Sequence, residues 1–173
     1  MATATPNTST RFFEVPGASP LALAFAAFLP VFETFITAER DLEDVDGFDP
    51  AYHIWLRDAE RAQDDLIDAL RDLRRIGARS PRDRALQRMV HVIDTMRGAE
   101  EPGLFQRSHR HLRTSFFTLF QVRGFDAVSS GTNALLLRAR HLVDAMADLP
   151  LFDHAEADRV GNTDIDAVMA AAA

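Results

Sequence analysis

The chain of 173 residues contains no cysteine, and its 19 basic residues are all arginine, with no lysine among them. The missing thiols exclude disulfide frameworks, thiolate zinc sites, iron–sulfur clusters and cysteine nucleophiles. The missing lysines exclude Schiff-base chemistry, a lysine general base and a Walker-type phosphate lysine. Coding bias in a GC-rich genome accounts for the arginine usage, and the exclusions hold whatever its cause. β-Branched alternation of the kind that marks strands is absent, and no repeat of fixed period occurs. The longest apolar run, Leu21 to Phe32, is interrupted by Pro30 and closed by Glu33; a bilayer crossing takes about 20 apolar residues. Val15-Pro16-Gly17 precedes that run where an export signal would carry basic residues. We therefore expect a core helix here, no membrane association and a cytoplasmic location. Glycines 98, 103, 124 and 131 fit neither a dinucleotide fingerprint nor a P-loop.

What is present is globular in composition: 47% hydrophobic, 26% charged, net charge -7. The length suits one domain. Charge is segregated along the chain. Residues 1–70 hold 4 Arg against 13 acids, residues 71–113 hold 11 Arg against 5, and residues 114–173 hold 4 Arg against 8. A basic middle between acidic ends can bind an anion or pair across packed helices. The sequence pI near 5.3 favours internal or intersubunit pairing and argues against a nucleic-acid partner.

The periodicity predicts an all-α, single-domain bundle of four to five helices over residues 19–149, with a flexible arm at 1–18 and a loose tail at 150–173. Three helix starts share one device, a capping residue followed by proline: Ser19-Pro20, Asp49-Pro50 and Ser80-Pro81. Glu101-Pro102 is a weaker fourth start, and a fifth helix is expected from near Ser130 to Leu149. Leu21, Phe25, Phe28, Phe32, Phe35 and Ile36 form the apolar face of the first helix, with Pro30 on its far side. The second places Tyr52, Trp55, Ala59, Ala62, Leu66, Ala69, Leu70 and Leu73 inward. The third uses Leu86, Met89, Val90, Ile93 and Met96. The fourth uses Phe105, Leu112, Phe116, Leu119 and Phe120, and the fifth Leu135, Ala139, Leu142, Val143 and Met146. Short connections predict mostly antiparallel neighbours. A helix-turn-helix over residues 81–122 is disfavoured, because Phe116, Phe117 and Phe120 suit a core rather than a groove.

Chemistry is confined to a few residues. His53, His91 and His141 fall on polar faces. His91-x-x-Asp94 and His141-x-x-Asp144 have a spacing that can serve a metal, but the di-iron bundle pattern requires Glu-x-x-His, which does not occur; surface ion pairs are the plainer reading. His109 differs, because it shares the apolar face with Phe105, Leu112 and Phe116. Buried there, it needs a hydrogen-bond partner, either a backbone carbonyl or Glu39, which lies on the apolar face of the first helix. The sharper alternative makes His109 an axial haem ligand or a polar anchor in an apolar pocket. The stretch Arg107-Ser108-His109-Arg110-His111-Leu112-Arg113 is the densest basic patch; Arg107, Arg110, His111 and Arg113 cannot all share one face, so part of it is expected to meet an acidic helix and part water. Ser129-Ser130-Gly131-Thr132 reads as a helix cap that can also hold an anion. The candidate ligand-binding set is thus His109, Glu39, Arg110 and Arg113.

Ser108-His109-Arg110-His111-Leu112 and Leu136-Leu137-Arg138-Ala139-Arg140-His141-Leu142 resemble pieces of the all-helical haem dioxygenases that open the indole ring. In that family a histidine followed by arginine holds the iron, so the resemblance implies haem on His109. It covers under a quarter of the chain, with different spacing between the pieces. The expectation that the residues themselves support is a non-enzymatic interaction or regulatory protein, acting as a homodimer or on another protein. A haem- or apolar-ligand-binding bundle with His109 as ligand, an oxygenase being one form of it, is the alternative.

Overall fold

In the computed structural model, residues 17–43, 49–50, 52–101 and 103–152 are described. The arm before residue 17, the acidic turn at 44–48 and the tail from 153 onward lie outside them. The described chain is all-helical: α1 (Pro20–Glu43), α2 (Tyr52–Arg75), α3 (Pro81–Arg97), α4 (Leu104–Phe120), α5 (Ala127–Ala147) and a final 3-10 turn, Pro150–Phe152.

The proline-marked starts work as capping chemistry requires. Ser80 caps α3 by accepting the Asp83 N–H at 3.1 Å, with Pro81 at the first helical position. Ser19 does the same for α1, accepting the Ala22 N–H at 3.1 Å. Helix α2 begins two residues after Pro50, where the Tyr52 N–H meets the Asp49 carbonyl. The fourth start differs from expectation. Gly103, at φ +75°, precedes α4 with no side-chain cap, so a left-handed turn takes over from the Glu101-Pro102 signal. Helix α5 starts at Ala127 rather than near Ser130. Asp126 supplies the cap, accepting the Ser129 N–H at 2.9 Å and the Ser129 hydroxyl at 2.7 Å. Just before it stands Gly124, at φ +150°, where an added Cβ would fall 2.5 Å from Ser129 Oγ. Only glycine lets the chain turn this closely onto the cap.

The core is built from the faces that the periodicity marks. All six apolar positions of α1 and all five of α3 are buried, and Leu66, Leu70, Ala139, Val143 and Met146 join them. Pro30 sits within α1 away from the fully buried positions. By length and composition α1 is apolar enough to cross a membrane, with half of its most apolar stretch buried against the rest of the protein. Two inward assignments are overturned: Trp55 is 40% exposed and Leu119 38% exposed. Trp55 lies in the first turn of α2, and Leu119 sits one position before Phe120, off the Leu112–Phe116–Phe120 stripe that α4 buries.

Helix α1 packs most extensively on α2 and lies parallel to α5, with Arg138 paired to Glu33 at 2.6 Å and Arg40 donating to the Ala145 carbonyl at 3.3 Å. Helix α4 runs antiparallel to α5, joined by His109–Asp144 near one end and by the Asn133 side chain, which bridges the Val122 N–H and carbonyl at 2.9 Å each, near the other. One pair departs from the antiparallel expectation. Arg74 at the end of α2 meets Asp94 near the end of α3, because the non-helical segment 76–80 can span about 17 Å and leads the chain back along α3.

The starts of α1, α3 and α5 are tied into one junction. The Asp83 carboxylate, only 2% exposed, accepts the Ser19 hydroxyl and, at 2.9 Å, the Arg79 N–H. Arg82 then reaches Asp126 at 2.8 Å. Hydrogen bonds from Ser129, with a smaller contribution from Arg82, hold the Asp126 carboxyl below its ordinary range. This junction was not anticipated. Its signal in the sequence was Ser80-x-x-Asp83, a capping-box spacing with aspartate in place of glutamate.

Candidate functional site

Helix α4 carries the basic stretch, and its 100° step divides that stretch between two grooves. Arg107, Ser108, His111 and Leu112 face α3, whereas His109, Arg110 and Arg113 face α5 and Phe152. The candidate residues His109, Arg110 and Arg113 therefore come together. Glu39 does not join them.

The groove between α3 and α4 has a volume of about 770 Å³. Leu112, Val92, Leu119 and Phe120 make it largely apolar, and Arg84, Arg88, His91, Arg107 and His111 add a basic rim with no carboxylate among the lining side chains. Arg88 donates to the Leu119 carbonyl at 2.6 Å, and its guanidinium lies 6.0 Å from the Phe120 ring centre. Arg107 is paired with Glu101 at 2.6 Å. Arg84 forms no ion pair among the described residues. The sequence reading missed this groove, since its two rims belong to different helices and neither helix alone shows a pocket.

The groove on the other side of α4 encloses about 540 Å³. His109 is hydrogen-bonded through Nε2 to Asp144 Oδ1 at 2.7 Å. That replaces the expected partners, a backbone carbonyl or Glu39, with the aspartate of the His141-x-x-Asp144 pair. His109 is also not fully buried, its side chain being 18% exposed. Arg140 lies 3.9 Å from the same carboxylate and over the Phe116 ring at 5.0 Å. Iron held on His109 Nε2 would require Asp144 to release the ring.

Glu39 lines a separate hollow with Leu42, Tyr52, Leu149 and Leu151. Burial raises its pKa above the ordinary 4.5, so the folded protein binds a proton there more readily than the unfolded chain does. Stability from this group is complete below the unfolded value and falls as pH rises through the folded one. Glu39→Gln is expected to raise the melting temperature at pH 7 by about 1–2 °C. The gain should vanish near pH 4, as measured by thermal unfolding at both pH values; an equal gain at both would refute the assignment.

The two His-x-x-Asp pairs do not converge. Asp94 is engaged by Arg74 and by Arg97 at 3.6 Å, while Asp144 turns to His109. His53, His91 and His141 are exposed. Among the described residues, no group of three or more His, Asp or Glu side chains is placed to hold a metal ion. Ser129 and Thr132 are buried and bonded to Asp126 and to the Val128 carbonyl, so the α5 start is capped by the chain's own groups. No family model, curated protein or solved structure matches the chain.

Proposed function

We propose that the protein is a non-enzymatic, cytoplasmic interaction protein whose α3–α4 groove receives an acidic amphipathic helix from a partner protein. The observation that carries this reading is the combination of an apolar floor with an arginine and histidine rim whose lining side chains include no carboxylate, Arg107 alone of them being paired with the neighbouring Glu101. The α3 lining residues Arg84, Arg88, His91 and Thr95 recur at helical spacing and extend over about 17 Å. That length matches three turns of a docked helix inserting residues at i, i+3, i+4 and i+7. Buried leucine-sized side chains would supply affinity, and the rim would select acidic flanks and speed encounter.

The test is fluorescence anisotropy with a labelled helical peptide bearing leucines at that spacing and glutamates beside them. Saturable binding is expected, weakening about tenfold when Arg84→Glu and Arg88→Glu are combined, with recovery by a peptide carrying lysines in place of the glutamates. Equal binding to the wild-type and reversed proteins would overturn the proposal. The exposed acids of α2, among them Glu60, Asp64 and Asp65, favour a second copy of the chain as a further occupant. Sedimentation would then show a self-complex that the same reversal disperses.

A further inference from the structure

The groove on the opposite side of α4 has different chemistry. Arg110, Arg113 and Arg140 line it together with His109 and Gln106, and among the described residues Asp144 beside His109 is the single carboxylate in contact with this group. Arg110 and Arg113 form no ion pair among the described residues. The Arg140 guanidinium is held in place by the rings of Phe116 at 5.0 Å and Phe117 at 5.8 Å, and its buried Nε faces Asp144 Oδ2 at 3.9 Å, beyond hydrogen-bond distance. Gln106 is fixed by its Nε2, which donates to the Phe152 carbonyl at 2.8 Å, leaving its buried Oε1 without a donor. Phe105 and Phe152 are stacked at 4.6 Å on one side of the groove. Three guanidinium groups gathered on one groove, beside a buried acceptor without a donor, point to a ligand that the protein itself does not supply.

We propose that this groove is a second binding site, for a small phosphomonoester that also carries a hydroxyl group. Three arginines against one carboxylate leave an excess that a doubly charged group balances, and a phosphomonoester carries roughly −1.5 to −2 at neutral pH; a lone carboxylate falls short. The planar guanidinium forks suit phosphate oxygens. Gln106 turns its buried Oε1 outward to accept from the ligand hydroxyl, and the carbon skeleton lies against the edges of Phe105 and Phe152 that line the groove.

The test is titration calorimetry of the full chain with glycerol 3-phosphate, methyl phosphate and glycerol. Glycerol 3-phosphate should bind saturably and more tightly than methyl phosphate, and glycerol should not bind. Arg113→Gln, at an exposed position that leaves the fold intact, should weaken glycerol 3-phosphate about tenfold. Gln106→Met should erase the preference over methyl phosphate, and Arg84→Gln in the other groove should change nothing. Absence of saturable binding up to about 10 mM would overturn the site, as would equal weakening by Arg113→Gln and Arg84→Gln, which marks a diffuse surface charge. Because the readout uses no peptide, its failure leaves the α3–α4 proposal standing, and the reverse also holds.

Discussion

Asp83→Ala is expected to lower the folding free energy by about 2–4 kcal/mol, because it strips a buried carboxylate from two donors at once. The Ser19 hydroxyl and the Arg79 N–H both point at this side chain. The Asp83 side chain itself is only 2% exposed, so its carboxylate relies on these donors rather than on water. For a chain of this length the change corresponds to a fall of roughly 5–15 °C in melting temperature. Asp83→Asn keeps the volume but exchanges one acceptor oxygen for a donor, so it should recover part of the loss. Ser19→Ala, alone and combined with Asp83→Ala, isolates the pair, and the double-mutant cycle should give a coupling of about 1 kcal/mol or more. Urea unfolding of the four proteins measures all of this. A change under about 0.5 kcal/mol for Asp83→Ala, the size typical of ordinary surface substitutions, would show that the junction contributes nothing.

Phe32→Ala should be comparably severe, about 3–5 kcal/mol. Phe32 is completely buried and stacks on Phe28 at 5.7 Å, and Phe28 in turn lies 5.8 Å from Phe25. Removing one ring from this ladder loses its transfer free energy and leaves a void that close-packed neighbours fill only in part. Phe117→Ala is the matched control. That ring is 62% exposed on α4, and its loss should stay within about 0.5 kcal/mol. Denaturant midpoints for the two variants compare the same chemical deletion at opposite burial. Similar losses at both sites would mean that the apolar face of α1 does not form the centre of the fold.

Much of the architecture was legible because helices declare themselves locally. Ser19-Pro20 and Ser80-Pro81 mark their starts within a residue, and the Phe and Leu positions of α1 and α3 point inward as their spacing requires. The errors lie where a neighbour decides. Trp55 and Leu119 satisfy the period of their helices but stand where no facing element covers them. The α5 start was placed three residues late because Ser129-Ser130 looked like the cap, whereas Asp126 takes that role and Ser129 is its partner. At the candidate site, Arg107 and His111 lie on one side of α4 and His109, Arg110 and Arg113 on the other, whereas the wheel required only that Arg107, Arg110, His111 and Arg113 not all share one face. It could not say that the first pair borders α3 or that the others face Arg140 and Phe152, since that is set by how α4 packs. Asp144 was visible as a polar residue of α5; only the antiparallel register of α4 and α5 brings it to His109.

The junction of Ser19, Asp83, Arg82 and Asp126 joins residues 64 and 44 positions apart along the chain. Closing such wide loops carries an entropic cost before any bond repays it, so these contacts, like the α1–α5 pairs 105 positions apart, are expected to form after helices adjacent in sequence have docked. Interactions absent from the rate-limiting ensemble chiefly slow unfolding rather than speed folding. The polar knot at one end of the bundle is therefore expected to work as a late-closing latch, helping to set how long the native molecule persists once made.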